Sequence, residues 1–345
     1  MSLITEINEQ PQILQNILDN QANNIHKIAK KIREYQPRYV FLAARGTSDN
    51  AGRYANYLWG AHNQYPLALA TPSLFTFYQQ PPQLKGALVV GISQSGMSPD
   101  IVSVIEEGKR QGSLTMAITN SPESPLAKMA DLNIDICAGE ELAVAATKTY
   151  TAQLMAVAML SAALRDEKSE LRDLQQVPEW VQLVLNNQEQ MVEQVQRYTF
   201  MKQCVVLGRG FNYATAFEWS LKLKELTYTV AEPYSSADFL HGPIAMVERN
   251  FPIMVVAPQG KIFQNLYEVM VALKKEQHAE LVVVSNHMKA LELANTPISI
   301  PTAVPEWLSP IVSIVPGQLF AYHLTRARGL NSETPRAINK VTKTE

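Results

Sequence analysis

The stretch Ala87-Leu-Val-Val-Gly-Ile-Ser-Gln-Ser-Gly-Met-Ser-Pro99 decides the fold. Its first six residues are an unbroken apolar run of strand length, the pattern of a strand buried on both faces of a sheet. The run stops at Ser93-Gln-Ser-Gly96, and Pro99 opens a helix-favouring stretch to about residue 111, because proline suits the first position of a helix. The same unit lies upstream. Residues 39–44, Tyr-Val-Phe-Leu-Ala-Ala, read as a strand that ends in Arg45-Gly-Thr-Ser48 and leads into a helix over 49–59. Downstream, residues 114–119 and 132–136 continue the alternation, and a long helix over about 146–164 closes this half. Strands alternating with helices predict an α/β fold, a doubly wound parallel sheet of the flavodoxin-like kind with helices on both faces.

The pattern then restarts. Cys204-Val-Val-Leu-Gly-Arg-Gly210 is a strand ending in Arg-Gly, like Leu42-Ala-Ala-Arg-Gly46, and an offset of 164 separates the two glycines. The same offset lays Ile253-Met-Val-Val-Ala257 on Val89-Val-Gly-Ile-Ser93. Two elements in one unbroken register mark an internal duplication. The 345 residues therefore divide into a helical lead-in (1–35), a first α/β domain (36–165), a polar helical connector (166–197), a second domain (198–330) and a tail (331–345). The copies differ at one informative place: Ser93-Gln-Ser-Gly96 falls on Ala257-Pro-Gln-Gly260, so the second copy lacks the hydroxyls. The first copy is the one expected to bind.

Composition removes several function classes. Lys+Arg is 30 against Asp+Glu 32, a net charge of -2, which leaves no basic excess for nucleic acid or an anionic membrane. Hydrophobic residues are 46% and charged residues 18%, enough apolar material for a sizeable core. The two cysteines, Cys137 and Cys204, make neither a disulfide framework nor a Cys-based zinc cluster and suit a reducing compartment. Acids near the start, Glu6 and Glu9 in Met1-Ser-Leu-Ile-Thr-Glu-Ile-Asn-Glu-Gln10, stand where a signal peptide is basic. The longest near-apolar run, 154–164, is too short to cross a bilayer. The expectation is a cytoplasmic protein without membrane or nucleic-acid partners.

Three groups of residues carry chemistry. Gly46, Thr47, Ser48, Ser93, Gln94, Ser95 and Ser98 fall where strands end and helices begin, and hydroxyls, an amide and the N–H groups of a helix N-terminus together suit a phosphate. The competing reading is ordinary helix capping. No Gly-x-Gly-x-x-Gly or Walker pattern accompanies them, so a nucleotide is not indicated. Lys222 and Glu225, three apart, can share a helix face and favour an ionised Glu225, although such a pair is commonly a solvated salt bridge. His241, before Gly-Pro, sits in a turn that can aim an imidazole; the other histidines, His26, His62, His278, His287 and His323, show no metal-ligand spacing. The polar tail 331–345 reads by default as frayed, with nothing physical to single out Lys340.

Gly46-Thr-Ser48, Ser93-Gln-Ser-Gly96, Val144-Ala-Ala-Thr-Lys148, Leu207-Gly-Arg-Gly210, Leu221-Lys-Leu-Lys-Glu225, His241-Gly-Pro243 and the tail from Pro335-Arg336 to Lys340 occur in order. In this the chain resembles the double sugar-isomerase (SIS) domain family, and is similar to the isomerase half of glutamine–fructose-6-phosphate aminotransferase over nearly its whole length. The resemblance implies two tandem SIS domains. Residue by residue, it implies that Ser48, Ser93, Gln94, Ser95 and Ser98, with Gly46 and Thr47 beside them, hold the phosphate of a 6-phosphosugar. It further implies that Glu225 moves a proton between C1 and C2 and that His241, reaching in from the neighbouring subunit of a homodimer, opens the sugar ring. Lys340 would form a Schiff base with the open-chain ketose, and Ala145, Lys148, Glu218 and Lys222 match further active-site positions. No metal or organic cofactor is implied.

Departures from the family pattern refine this. That aminotransferase, also called glucosamine-6-phosphate synthase, carries a glutaminase domain with an N-terminal nucleophilic cysteine, whereas this chain starts at the isomerase region; the expectation is that it takes no nitrogen from glutamine. The synthase has Cys at Arg45, Ser at Ala146 and Thr at Ser98. Arg45 would add a positive charge beside the phosphate loop, strengthening anion binding or altering substrate choice. The nearest resemblance is to stand-alone SIS deaminases, which implies conversion of glucosamine 6-phosphate to fructose 6-phosphate and ammonia. The alternatives are a deglycase acting on fructosamine or fructoselysine 6-phosphate, a galactosamine 6-phosphate deaminase, and, outside enzymes, a phosphosugar sensor.

Overall fold

A computed structural model describes residues 2–340; Met1 and residues 341–345 of the tail lie outside the described residues. The apolar runs become the strands of two sheets, every neighbouring pair parallel. The first sheet contains β1 (Tyr39–Ala43), β2 (Leu67–Leu69), β3 (Ala87–Ile92), β4 (Leu114–Thr119) and β5 (Leu132–Asp135) in the order β2-β1-β3-β4-β5. The second contains β6 (Gln203–Gly208), β7 (Val230–Ser235), β8 (Pro252–Val256), β9 (Glu280–Ser285) and β10 (Thr296–Ser299) in the order β7-β6-β8-β9-β10. The orders are the same. So is the register: Phe41 pairs with Val89 in the first sheet and Val205 with Ile253 in the second, both members shifted by the offset of 164 found in the sequence. The α/β, doubly wound, parallel architecture is as expected.

Burial explains why these runs are strands. Every residue of β3, β8 and β9 is buried, as central strands covered on both faces must be. The edges differ. β2 is three residues long with none buried, and β7 contains Pro233, which an edge strand tolerates because one side of its backbone needs no ladder partner. β2 is too short, at three residues, and β7 too mixed, with Glu232 and Pro233 inside it, to stand out as a strand by pattern.

Helices cover the faces in the same way in both copies. Helix Gly46–Asn63 packs on Lys148–Arg165, and Tyr213–Thr227 packs on Ser309–Ala327. Both Lys148–Arg165 and Ser309–Ala327 are buried almost all round, the mark of a core helix rather than an amphipathic one. The first helix begins at Gly46, three residues before the expected start, so Thr47 and Ser48 lie in its opening turn. The lead-in is helix Leu3–Asn8 followed by Gln10–Tyr35, and the connector is helix Lys168–Asn186, Glu189–Gln194 and a 3-10 turn at Val195–Tyr198.

The chain forms two compact units. One holds the first sheet, with residues 12–141, 148–175 and 339–340. The other holds the second sheet, with residues 2–11, 142–147 and 176–338. Among the described residues no helix is long and apolar enough to cross a membrane.

Candidate active site

β1 connects to β2 on one side and β3 to β4 on the other. The crevice beyond their C-terminal ends is therefore the topological switch point of the first sheet, where ligands of open α/β sheets bind. Two segments form its lips: Arg45 with the first turn of helix Gly46–Asn63, and Ser93–Ser98 before helix Pro99–Arg110. Ser48 and Ser93 are buried, and Thr47, Gln94, Ser95 and Ser98 are half-buried.

Helix capping does not account for these hydroxyls. Ser98 stands at the N-cap of its helix but makes no side-chain cap bond. Ser93 Oγ instead accepts the Gly96 N–H at 3.1 Å and Ser95 Oγ the Met97 N–H at 3.3 Å. The turn depends on Gly96, whose φ is +64° and where a Cβ would lie 2.1 Å from Ser124 Oγ; only glycine combines that conformation with that approach. Ser48 Oγ accepts a 3.0 Å bond from Gln153 Nε2. Gln153 is buried on helix Lys148–Arg165, and by filling the acceptor side of Ser48 it leaves that hydroxyl's proton to be donated. Helix N-termini and donating hydroxyls on both lips favour an anion.

Arg45 corrects a sequence expectation. Its charge is not simply added to the loop: Nε lies 2.8 Å from Oδ2 of Asp100, whose side chain is fully buried while that of Arg45 is 48% exposed. The positive charge is offset by a buried negative one.

The same unit contains the tail lysine. Lys340 Nζ is 2.5 Å from Glu141 Oε2, so the described part of the tail is docked rather than frayed. Glu141 is itself buried and accepts from the backbone N–H and the hydroxyl of Thr149, at 3.1 and 2.8 Å, at the start of helix Lys148–Arg165. Lys148 is buried in that first turn. In the other unit Ala145 is buried in the segment 142–147, where Leu142 N–H and Ala143 N–H donate to the buried Glu6 carboxylate. The tail is anchored there too: Glu333 accepts from Leu3 N–H, and the Arg336 guanidinium lies 4.5 Å above the Tyr228 ring.

Helix Tyr213–Thr227 holds the charge cluster. Lys222 Nζ lies 2.6 Å from Glu225 Oε2 and 3.3 Å from Glu218 Oε1. The side chains of Lys222 and Glu218 are fully buried and that of Glu225 is 23% exposed, so this is no solvated salt bridge. Burial alone would push the Lys222 ammonium down, but the Glu225 and Glu218 carboxylates and their hydrogen bonds raise it well above its ordinary value. Lys222 is therefore a fixed cation. Glu225 is the member of the cluster that solvent, and hence a substrate, can reach.

His241 follows the short helix Ser236–Leu240, where its N–H donates to Asp238 carbonyl at 3.0 Å. Gly242 at φ +134° and Pro243 complete the turn, and His241 is exposed, with Leu240 and Met246 exposed beside it. Three partners in these sites escaped the sequence reading: Gln153, Asp100 and Glu141. Among the described residues no group of three or more His, Cys, Asp or Glu is arranged to hold a metal.

Comparison with known proteins places this geometry. The SIS domain family matches residues 35–163 and again 200–327. Glutamine–fructose-6-phosphate aminotransferase (isomerizing) of Aquifex aeolicus is 32% identical over 345 residues, covering 99% of this chain and 58% of that protein; the chain thus spans less than two thirds of that relative. Among solved structures, a candidate phosphosugar isomerase from Silicibacter pomeroyi superimposes with a TM-score of 0.87 at 30% identity, over 96% of this chain and 100% of that one. The C-terminal domain of glucosamine-fructose-6-phosphate aminotransferase from Francisella tularensis gives 0.84 at 26%, over 96% and 98%. With two copies of the domain in the same order and register, the chain belongs to the SIS domain family.

Proposed function

We propose that the chain is a phosphosugar aldose–ketose isomerase that works as an amino-sugar-phosphate deaminase, converting glucosamine 6-phosphate and water to fructose 6-phosphate and ammonia. The observation that carries this reading is the buried Glu218–Lys222–Glu225 cluster with only Glu225 partly exposed: a carboxylate held beside a fixed cation is an acceptor for one proton. The hydroxyl-lined switch point supplies the phosphate site, and the names of the Aquifex and Francisella relatives support a fructose 6-phosphate-related substrate.

In this reading Ser48, Ser93, Gln94, Ser95 and Ser98 hold the 6-phosphate. His241, contributed by the second subunit of a homodimer, protonates the ring oxygen as the ring opens. Glu225 takes the proton from C2 of the open-chain aldehyde, and the electron pair is stabilised as the C1–C2 enolamine. Returning that proton to C1 leaves an imine at C2. The Lys340 amine displaces ammonia from the imine to form a Schiff base, and water then releases the ketose and restores the amine. The exposed apolar residues beside His241 support the dimer; a stable, active monomer by light scattering would oppose it.

The test is ammonia release from the 6-phosphates of glucosamine, galactosamine, N-acetylglucosamine and fructoselysine, with Lys340→Ala alongside. Ammonia from glucosamine 6-phosphate, lost in the variant, is the expected result. Release of lysine from the fructoselysine adduct would make the protein a deglycase. Binding across the panel without turnover would make it a phosphosugar sensor.

A further inference from the structure

Arg45 and Asp100 lie 55 residues apart, on opposite lips of the β1/β3 crevice. Arg45 occupies the N-cap of helix Gly46–Asn63 in an extended conformation and makes no side-chain cap bond. Its side chain crosses to Asp100, in the first turn of helix Pro99–Arg110. The Asp100 carboxylate cannot turn freely: Oδ1 accepts the Ile101 N–H at 2.9 Å while Oδ2 accepts Arg45 Nε at 2.8 Å. A fully buried carboxylate is costly unless paired and hydrogen-bonded, and Arg45 is the cation that pairs it. The guanidinium is planar and its N–H directions are fixed, so the bond sets the direction of approach as well as the distance.

We infer that the Arg45–Asp100 pair is a strut across the switch point, and that Arg45 is a positioning residue for phosphate. The strut holds the lip carrying Thr47 and Ser48 at a set distance from the lip carrying Ser93, Ser95 and Ser98, so that one phosphate meets donors from both without first drawing them together. Because the pair is internally neutral, the anion is bound by hydroxyl and N–H donors, and Arg45 governs affinity through geometry. This rests on the phosphate site of the proposed function. It adds a residue at which the synthase pattern has cysteine, and with it a source of different phosphate affinity in chains built on the same loops.

Binding of inorganic phosphate, followed by calorimetry on the full chain, separates the strut from the function. The strut predicts phosphate binding by the wild type, on the order of ten- to a hundred-fold weaker in Arg45→Ala, with partial recovery in Arg45→Lys and with far-UV circular dichroism unchanged. With glucosamine 6-phosphate the loss falls on KM, and kcat stays within about two-fold. Asp100→Asn distinguishes geometry from charge. The strut predicts weakening like that of Arg45→Ala, whereas a cation acting directly on phosphate would bind more tightly once released. Tighter binding in Asp100→Asn overturns the strut, and so does wild-type affinity in a folded Arg45→Ala, which suffices if Asp100→Asn does not fold. No phosphate binding by the wild type overturns the phosphate site itself, and the strut with it.

Discussion

At the end of β3 the chain turns through Ser93-Gln94-Ser95-Gly96, and at the matching place after β8 it turns through Ala257-Pro258-Gln259-Gly260. Strand order and register are the same at both, yet the crevices differ chemically. In the first, two serine hydroxyls accept the loop amides of Gly96 and Met97. In the second, the amide of Lys261, which corresponds to Met97, donates to a carboxylate, Glu306 Oε2, at 2.9 Å. Glu306 lies so close that a Cβ on Gly260 would come within 2.1 Å of it. The second crevice has an anion of its own. On the proposed reading, topology alone does not make a phosphate site: hydroxyls must line it, and a carboxylate within it must be neutralised by a cation, as Asp100 is by Arg45 in the first crevice.

The largest effect is expected from Lys222→Met on helix Tyr213–Thr227 of the second domain. Removing the cation leaves two carboxylates in or near the core, at about 3–5 kcal/mol of unfolding free energy, read from urea denaturation. A loss under about 1 kcal/mol would mean that Lys222 is not the counter-ion described. Next, Ser93→Ala and Ser95→Ala should each raise KM for a 6-phosphosugar by roughly ten-fold or more, as expected for one bond to a charged group, while Gln259→Ala in the second crevice leaves KM unchanged. Equal effects at both crevices would break the comparison. Glu306→Ala should cost about 1–2 kcal/mol of stability and still add no second phosphate on titration, because the hydroxyls are missing there; a second equivalent bound would make topology sufficient after all. The smallest effect is alkaline. Lys222 is raised in the folded state, so its stabilisation is complete below its ordinary value of 10.5 and fades as pH rises through the higher folded value. Wild-type stability should therefore fall towards that of Lys222→Met only at strongly alkaline pH.

What was legible in the sequence follows from how local each signal is. The central strands are buried on both faces, so they appear as apolar runs, and the offset of 164 reappears as sheet register because strand pairing preserves sequence spacing between copies. β2 and β7 escaped because a run of three residues is too short to mark a strand and an edge strand can carry a proline. The hydroxyl loops were readable from their place between strand and helix. Gln153, Asp100 and Glu141 were not, since each acts on a residue 55 to 199 positions away, and nothing local distinguishes them from a helix glutamine or a first-turn acid. Arg45 was readable as a charge but not as half of a pair. The Lys222–Glu225 spacing was plain, and its burial was not, because burial is decided by what packs around the helix.

The central claim is that Glu225 is the base for an amino-sugar phosphate, and ammonia release from glucosamine 6-phosphate by the wild type and by Glu225→Gln tests it most directly. The amide keeps the size and removes the proton acceptor. The account predicts release by the wild type and a loss of about a hundred-fold or more in the variant, with inorganic phosphate bound equally by both. Full turnover by Glu225→Gln would contradict the assignment of the base, and a wild type that binds phosphate but releases no ammonia would contradict the deaminase.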